Sequence, residues 1–260
     1  MTSKQARSNL LKTVVAFNIR SFLLLFIGFI LALYTSWMVS ASLGYGYSWW
    51  YGFYDSEQHI AHYAPQNKYR QGFETTTVTE HKQLFQQIVN SVHNDGKGLT
   101  DIHYSYGDQQ IPLLHKAEVV HLQDVANLIN KLHLMSLFLA IIFILLYVRH
   151  IVCLRRFGNL TRGRGQILIV AALAAIITIV FLIFGAKTIF YQMHVLIFPP
   201  DHQWFFYYQD SLMSTMMKAP DLFAGIALQI LLPGCVFFAL ALLLHRYLFR
   251  ALPAARMPLG

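Results

Sequence analysis

The sequence predicts a membrane-embedded all-α core of four transmembrane helices with both termini cytoplasmic, plus a small α+β extracytoplasmic cap between helices 1 and 2. Three observations carry this. Hydrophobic residues make up 56% of the 260 and charged residues 12%, a balance foreign to a solvated globule. Four stretches, 21–42, 132–149, 166–188 and 222–245, are apolar over roughly the 20 residues that a helix needs to cross the hydrocarbon core. The charges are also segregated: every Asp and Glu, from Asp55 to Asp221, falls within 43–131 or 189–221.

The N-terminal stretch 1–20 carries Lys4, Arg7, Lys12 and Arg20 and no acid. The first span, 21–42, follows basic residues as a secretory signal would, with Ser40 and Ser42 as a weak cleavage pattern. Its length exceeds the roughly 7–15 residues of a signal core, so it reads as a permanent anchor. The cap occupies 43–131. Within it, "TVTEHKQLFQQIVNSVHNDGKG" opens on a capping box, Thr77 with Glu80. The stretch then places Leu84, Phe85, Ile88, Val89 and Val92 on one helical face. "DIHYSYGDQQIPLL" alternates Ile102, Tyr104 and Tyr106, turns at Gly107 and Asp108 and resumes with Ile111 and Leu113, the pattern of a β-hairpin. From about Ala117 the pattern is helical without a breaker into the second span, 132–149.

The loop 150–165 holds Arg155, Arg156, Arg162 and Arg164, and the tail 246–260 holds Arg246, Arg250 and Arg256. The positive-inside rule therefore puts both termini and this loop in the cytoplasm. The formal charge of +8 follows from that topology and implies no nucleic-acid partner. Between the third span, 166–188, and the fourth, 222–245, the outer segment 189–221 carries the aromatic run Trp204 to Tyr208. Such rings settle at the headgroup level. Asp210 is placed to cap a short helix through "SLMSTMM".

The chemistry is bounded by what is missing. The two cysteines, Cys153 and Cys235, lie outside the outer segments, which excludes quinone-linked thiol oxidases and acyltransferases with an outer cysteine nucleophile. There is no G-x-S-x-G elbow and no H-E-x-x-H zinc signature. Twelve histidines remain. His59 and His62 have metal-pair spacing without evident third and fourth ligands, and read as surface histidines; no metal or cofactor is implied. His121 and Asp124, three apart on one helical face ahead of the second span, are either a catalytic pair or a polar turn bonded to the cap. His194 lies about a turn beyond the third span.

"HLQDVANLI" before the second span, with "MHVLIFPPDHQW" and "DSLMSTMMKAPDLF" before the fourth, resembles the bacterial lipoprotein intramolecular transacylase family. Its members have four spans, a small outer domain, an H-x-x-D-V motif and an F-H-x-x-F-F segment followed by a tryptophan, an aspartate and a proline. The layout is similar along nearly the whole chain, with motif support at about 117–129 and 190–223. Met193 stands where an aromatic residue commonly precedes the second histidine, and "FPPDHQW" adds two prolines and His202.

The resemblance implies that His121 and His194 are the functional histidines, with Asp124 beside them and Phe198, Trp204, Asp210 and Pro220 as substrate-binding positions. The implied substrate is a diacylated lipoprotein at the outer face of a bacterial cytoplasmic membrane. The implied reaction moves the sn-2 acyl chain of its diacylglyceryl cysteine to that cysteine's α-amine, giving the lyso form without cofactor or second lipid. His121, oriented by Asp124, would be the general base and His194 the acid or oxyanion partner; the reverse assignment stays open. Met213, Met216 and Met217, with the aromatic run, would flank or line the acyl-chain site, or serve simply as interfacial anchors. The competing reading is a non-enzymatic binding or assembly protein whose cap grips a partner.

Overall fold

A computed structural model describes residues 3–157, 179, 183–185 and 188–249. It is mostly helical: α1 (Ser3–Ser42), α2 (Tyr47–Phe53), α3 (Ser56–Tyr63), α4 (Val78–Val92), β1 (His103–Tyr106), β2 (Gln109–Pro112), α5 (Lys116–Phe157), α6 (Thr188–Ile197), α7 (Leu212–Met217) and α8 (Asp221–Phe249). Three of these contain segments long and apolar enough to cross a membrane, Val15–Ser42, Lys116–Arg155 and Asp221–Leu248. The expected third span, 166–188, and the loop 158–165 before it lie almost entirely outside the described residues.

The chain divides into two units, and the first consists of Met1–Ser36, Met135–Ile183 and Leu232–Gly260. Here helices meet through glycine. A Cβ on Gly28 would approach Phe143 Cε2 to 3.2 Å, and one on Gly234 would meet Leu33 Cδ2 at 2.6 Å and Leu33 Cα at 3.3 Å. Small residues permit such close approach where apolar surroundings supply no hydrophobic driving force between helices. Large side chains such as Phe138, Leu145 and Leu240 are left uncovered.

The second unit, Trp37–Leu134 with Phe184–Leu231, has its own core. As the periodicity predicts, α4 buries Leu84, Phe85, Ile88, Val89 and Val92, and the Thr77 side chain accepts from Glu80 N–H. The hairpin pairs His103 with Pro112 and Tyr106 with Gln109 around the Gly107–Asp108 turn, where Gly107 takes φ 57°. Tyr47 stacks on Phe85 with ring centroids 4.0 Å apart and donates its hydroxyl to the Met216 carbonyl. His81, buried within the unit, bridges the hydroxyls of Tyr51 and Thr76.

Two expectations are corrected here. The cap of α7 is Ser211, whose hydroxyl accepts from Ser214 N–H; Asp210 stands one residue too early and pairs instead with Lys68 at 2.7 Å. Met213, Met216 and Met217 are core residues, 5%, 0% and 7% exposed, so they do not flank an open acyl-chain site. α7 is short enough for the unit to enclose it on every side, which no helical period could reveal.

Candidate active site

The site is built from α5, α6 and the segment after α6. α5 is 42 residues long, about 60 Å at 1.5 Å per residue and twice the hydrocarbon thickness. Its opening turns precede the apolar run and belong to the second unit. They begin with a capping box: the Glu118 carboxylate accepts from His115 N–H at 2.7 Å, while His115 Nδ1 accepts from Ala117 N–H. Glu118 is 1% exposed and also accepts from the Ser211 hydroxyl and, at 3.4 Å, from Met213 N–H. One buried carboxylate thereby fixes both the start of α5 and the segment leading into α7.

One turn further on, His121 points into an aromatic box. Its ring lies 4.9 Å from Phe198, 6.0 Å from Phe206 and 6.4 Å from His194, centroid to centroid. His194 comes from α6, where its ring packs on Phe190 at 4.0 Å, Trp204 at 4.9 Å and Phe198 at 5.2 Å. The two histidines, 73 residues apart in sequence, thus share one box, with Phe198 packed against both. The aromatic run after α6 divides: Phe206 turns inward against His121, Trp204 covers His194, and Phe205 and Tyr207 are exposed.

The double proline makes this possible. α6 ends at Ile197, and the Pro199–His202 turn, closed by His202 N–H donating to Pro199 O at 3.1 Å, reverses the chain. The reversal carries His202 back to α5, where its Nδ1 donates to Asp124 Oδ2 at 2.6 Å. Asp124 therefore holds His202, contrary to the expected orientation of His121. The i,i+3 spacing gave Asp124 and His121 a common face, but their side chains diverge, His121 into the box and Asp124 to its edge. His121 Nδ1 is buried without a hydrogen-bond partner among the described residues.

The three histidines sit in different electrostatic conditions. Burial pushes His121 down to about 4, helped by nearby His194 and opposed by Asp124. Burial also lowers His194, against the Phe190 carbonyl, to which its Nδ1–H donates at 2.8 Å. That bond fixes the neutral tautomer and leaves the lone pair on Nε2. His202 moves the other way, raised chiefly by its hydrogen bond to Asp124.

The remaining expected positions have other contacts. Asp210 bonds Lys68 through its carboxylate and His115 Nε2–H through its carbonyl. Pro220 stands just before α8, its carbonyl accepting from Phe223 and Ala224 N–H. No group of three His, Cys, Asp or Glu side chains able to hold a metal ion occurs among the described residues. Glu118 and the role of His202 escape the sequence reading. The signal for Glu118 was an H-x-x-E box, hidden because the cap is histidine in place of serine or threonine.

No curated protein and no solved structure matches the chain. A family profile does: that of the lipoprotein intramolecular transacylase, Lit, matches residues 21–219. The match spans both histidines, Asp124, Phe198, Trp204 and Asp210, and ends one residue before Pro220. A mostly helical architecture is a poor discriminator by itself, but a match over most of the length, enclosing the whole box, decides the family. The chain belongs to the lipoprotein intramolecular transacylase family.

Proposed function

We propose that the protein moves the sn-2 acyl chain of a lipoprotein's diacylglyceryl cysteine to the α-amine of the same cysteine, leaving an N-acylated lyso-lipoprotein. The observation that carries this reading is the pairing of His121 and His194 in one aromatic box, with ring centroids 6.4 Å apart. At that separation a single reacting atom would be within the roughly 2.6–3.2 Å reach of a nitrogen on each ring.

Within this reading the roles are the reverse of the first assignment. His194 is the general base: its Nδ1–H is committed to Phe190 O, so Nε2 presents a lone pair. An α-ammonium of ordinary pKa about 7.7–8.0 gives its proton to Nε2. The freed nitrogen attacks the ester carbonyl carbon and forms the N–C bond. His121, neutral at pH 7, donates an N–H to the oxygen that gains charge. The C–O bond to glycerol then breaks as His194 passes that proton to the departing sn-2 oxygen; His194, neutral again, takes the second proton from the acylated nitrogen to leave the neutral amide and afterwards releases it to water. No acyl-enzyme is needed, because nucleophile and ester arrive on one molecule; such proximity supplies up to about 7–11 kcal/mol of barrier reduction. Trp204 and Phe198 position the reacting end, and the hydrogen bond between His202 and Asp124 holds the turn that follows Phe198.

The same reading has four spans, with 166–188 as the third, both termini cytoplasmic and the box at the outer face. The restriction of all acids to 43–131 and 189–221 supports it. The test is expression in a bacterium that makes only diacylated or triacylated lipoproteins, with the N-terminal lipopeptide read by mass spectrometry. Wild type is expected to yield the N-acyl, S-monoacylglyceryl form, and His121→Ala and His194→Ala are not. Absence of that form with wild type overturns the reaction and favours a non-enzymatic binding protein; its presence with both variants overturns only the site.

A further inference from the structure

In the first unit, a second polar cluster stands apart from the box. Arg20 of α1, His150 and Tyr147 of α5, and His245 of α8 are joined through rings. The Arg20 guanidinium lies 5.2 Å over Phe17, the Phe17 ring is 4.7 Å from His150, and His150 is 6.4 Å from His245, which bonds the Tyr147 hydroxyl through Nδ1 at 3.1 Å. Arg20 and His245 are both within electrostatic reach of His150.

Among the described residues no anion pairs with this cluster. Nε and Nη2 of Arg20, the two nitrogens of one guanidinium edge, are buried without a hydrogen-bond partner among the described residues, as is Nδ1 of His150. The unit's three sequence segments contain no Asp or Glu at all. A buried guanidinium edge without a counter-charge is strongly unfavourable, and that edge is the one that grips phosphate or carboxylate in a two-pronged hydrogen bond. Around it the same helices leave Ile19, Val148, Val152, Leu244 and Leu248 uncovered. The missing partner therefore has an anionic head and apolar tails.

We propose that Arg20, with His150, binds the phosphate of an anionic phospholipid between α1, α5 and α8. Arg20 Nε and Nη2 donate to two phosphate oxygens, His150 donates from Nδ1, and the acyl chains lie along the exposed side chains named above.

The test uses the purified, delipidated full chain in detergent, titrated with phosphatidylglycerol, phosphatidylcholine or inorganic phosphate while thermal unfolding is followed. Phosphatidylglycerol is expected to raise Tm at lower concentration than phosphatidylcholine, and inorganic phosphate to leave Tm unchanged. Arg20→Gln is expected to weaken the phosphatidylglycerol effect about tenfold, as loss of a charged hydrogen-bond pair would; His150→Gln serves if Arg20→Gln does not fold. An equal phosphatidylglycerol response in wild type and variant overturns the site. An equal response to inorganic phosphate, or to both lipids, overturns the anionic lipid as its occupant.

Discussion

If His121 acts only by donating an N–H to the developing oxyanion, glutamine should replace it far better than alanine does. Glutamine keeps a side-chain N–H donor and approximate length, whereas alanine leaves the oxyanion unpaired in a box where His121 is 9% exposed. Loss of one preorganised oxyanion donor costs about 2.7–4 kcal/mol, or roughly 10²–10³ in rate. His121→Ala should therefore fall by about that much, and His121→Gln by roughly tenfold, an imperfectly placed donor recovering part of the loss. At His194 glutamine offers no such rescue. An amide cannot accept a proton at neutral pH, so His194→Gln should match His194→Ala in losing about 10²–10⁴. The assay is single-turnover conversion of a synthetic diacylglyceryl-cysteine lipopeptide in detergent micelles, followed by mass spectrometry of the N-acylated product. If glutamine rescues position 194 and fails at 121, the roles are exchanged. If it rescues neither, the oxyanion role of His121 is refuted.

Three further outcomes follow from the same geometry. The His202–Asp124 bond raises His202 above its ordinary value, so its stabilisation is fully present below about pH 6.5 and fades as pH rises through the raised value. Limited proteolysis of 198–208 should accelerate as pH rises through that window in wild type and be fast and pH-independent in Asp124→Asn. Glu118→Ala removes an acceptor from three donors, two of them backbone N–H groups, and should cost about 1–3 kcal/mol per group left buried and unsatisfied, read as a lowered Tm. Gly234→Leu drives a side chain into Leu33, whose backbone Cα already lies 3.3 Å from a Cβ at that position. It should destabilise by about 1–3 kcal/mol while leaving the box chemistry unchanged in the protein that remains folded.

The parts of the fold legible in the sequence are those set by local periodicity and local hydrogen bonding. α4, its Thr77 cap, the hairpin and the start of α5 are each fixed by residues within about a turn of one another. The pairing of His121 with His194 came from resemblance, since spacing alone placed the two only at a similar depth. What escaped depends on contacts between distant segments. Asp124 had two histidines within its reach, and the nearer in sequence lost because the Pro199–Pro200 reversal delivers the other with its Nδ1 facing the carboxylate. Glu118 takes donors from Ser211 and Met213, more than ninety residues away. The burial of Met213, Met216 and Met217 is likewise a consequence of where α7 is packed, and not of any pattern within it.

Moving Asp124 away from His121 also changes what the box does to its substrate. A carboxylate bonded to His121 would have favoured an imidazolium, and a cation there would disfavour the incoming α-ammonium. With the carboxylate taken up by His202, the box is lined by two histidines that burial keeps neutral and by Phe190, Phe198, Trp204 and Phe206. The desolvation that pushes His121 down to about 4 acts with the same sign on any amine that enters, since burial penalises the charged form of every base. On the proposed mechanism the box therefore lowers the α-ammonium pKa from about 7.7–8.0 towards and below neutrality, releasing the nucleophile where His194 Nε2 stands ready to take its proton. The rate should then depend on a substrate amine titrating below its solution value when bound. A lipopeptide whose free α-amine is more acidic should gain less from the enzyme relative to the uncatalysed reaction, because less of its deprotonation is left for the box to provide.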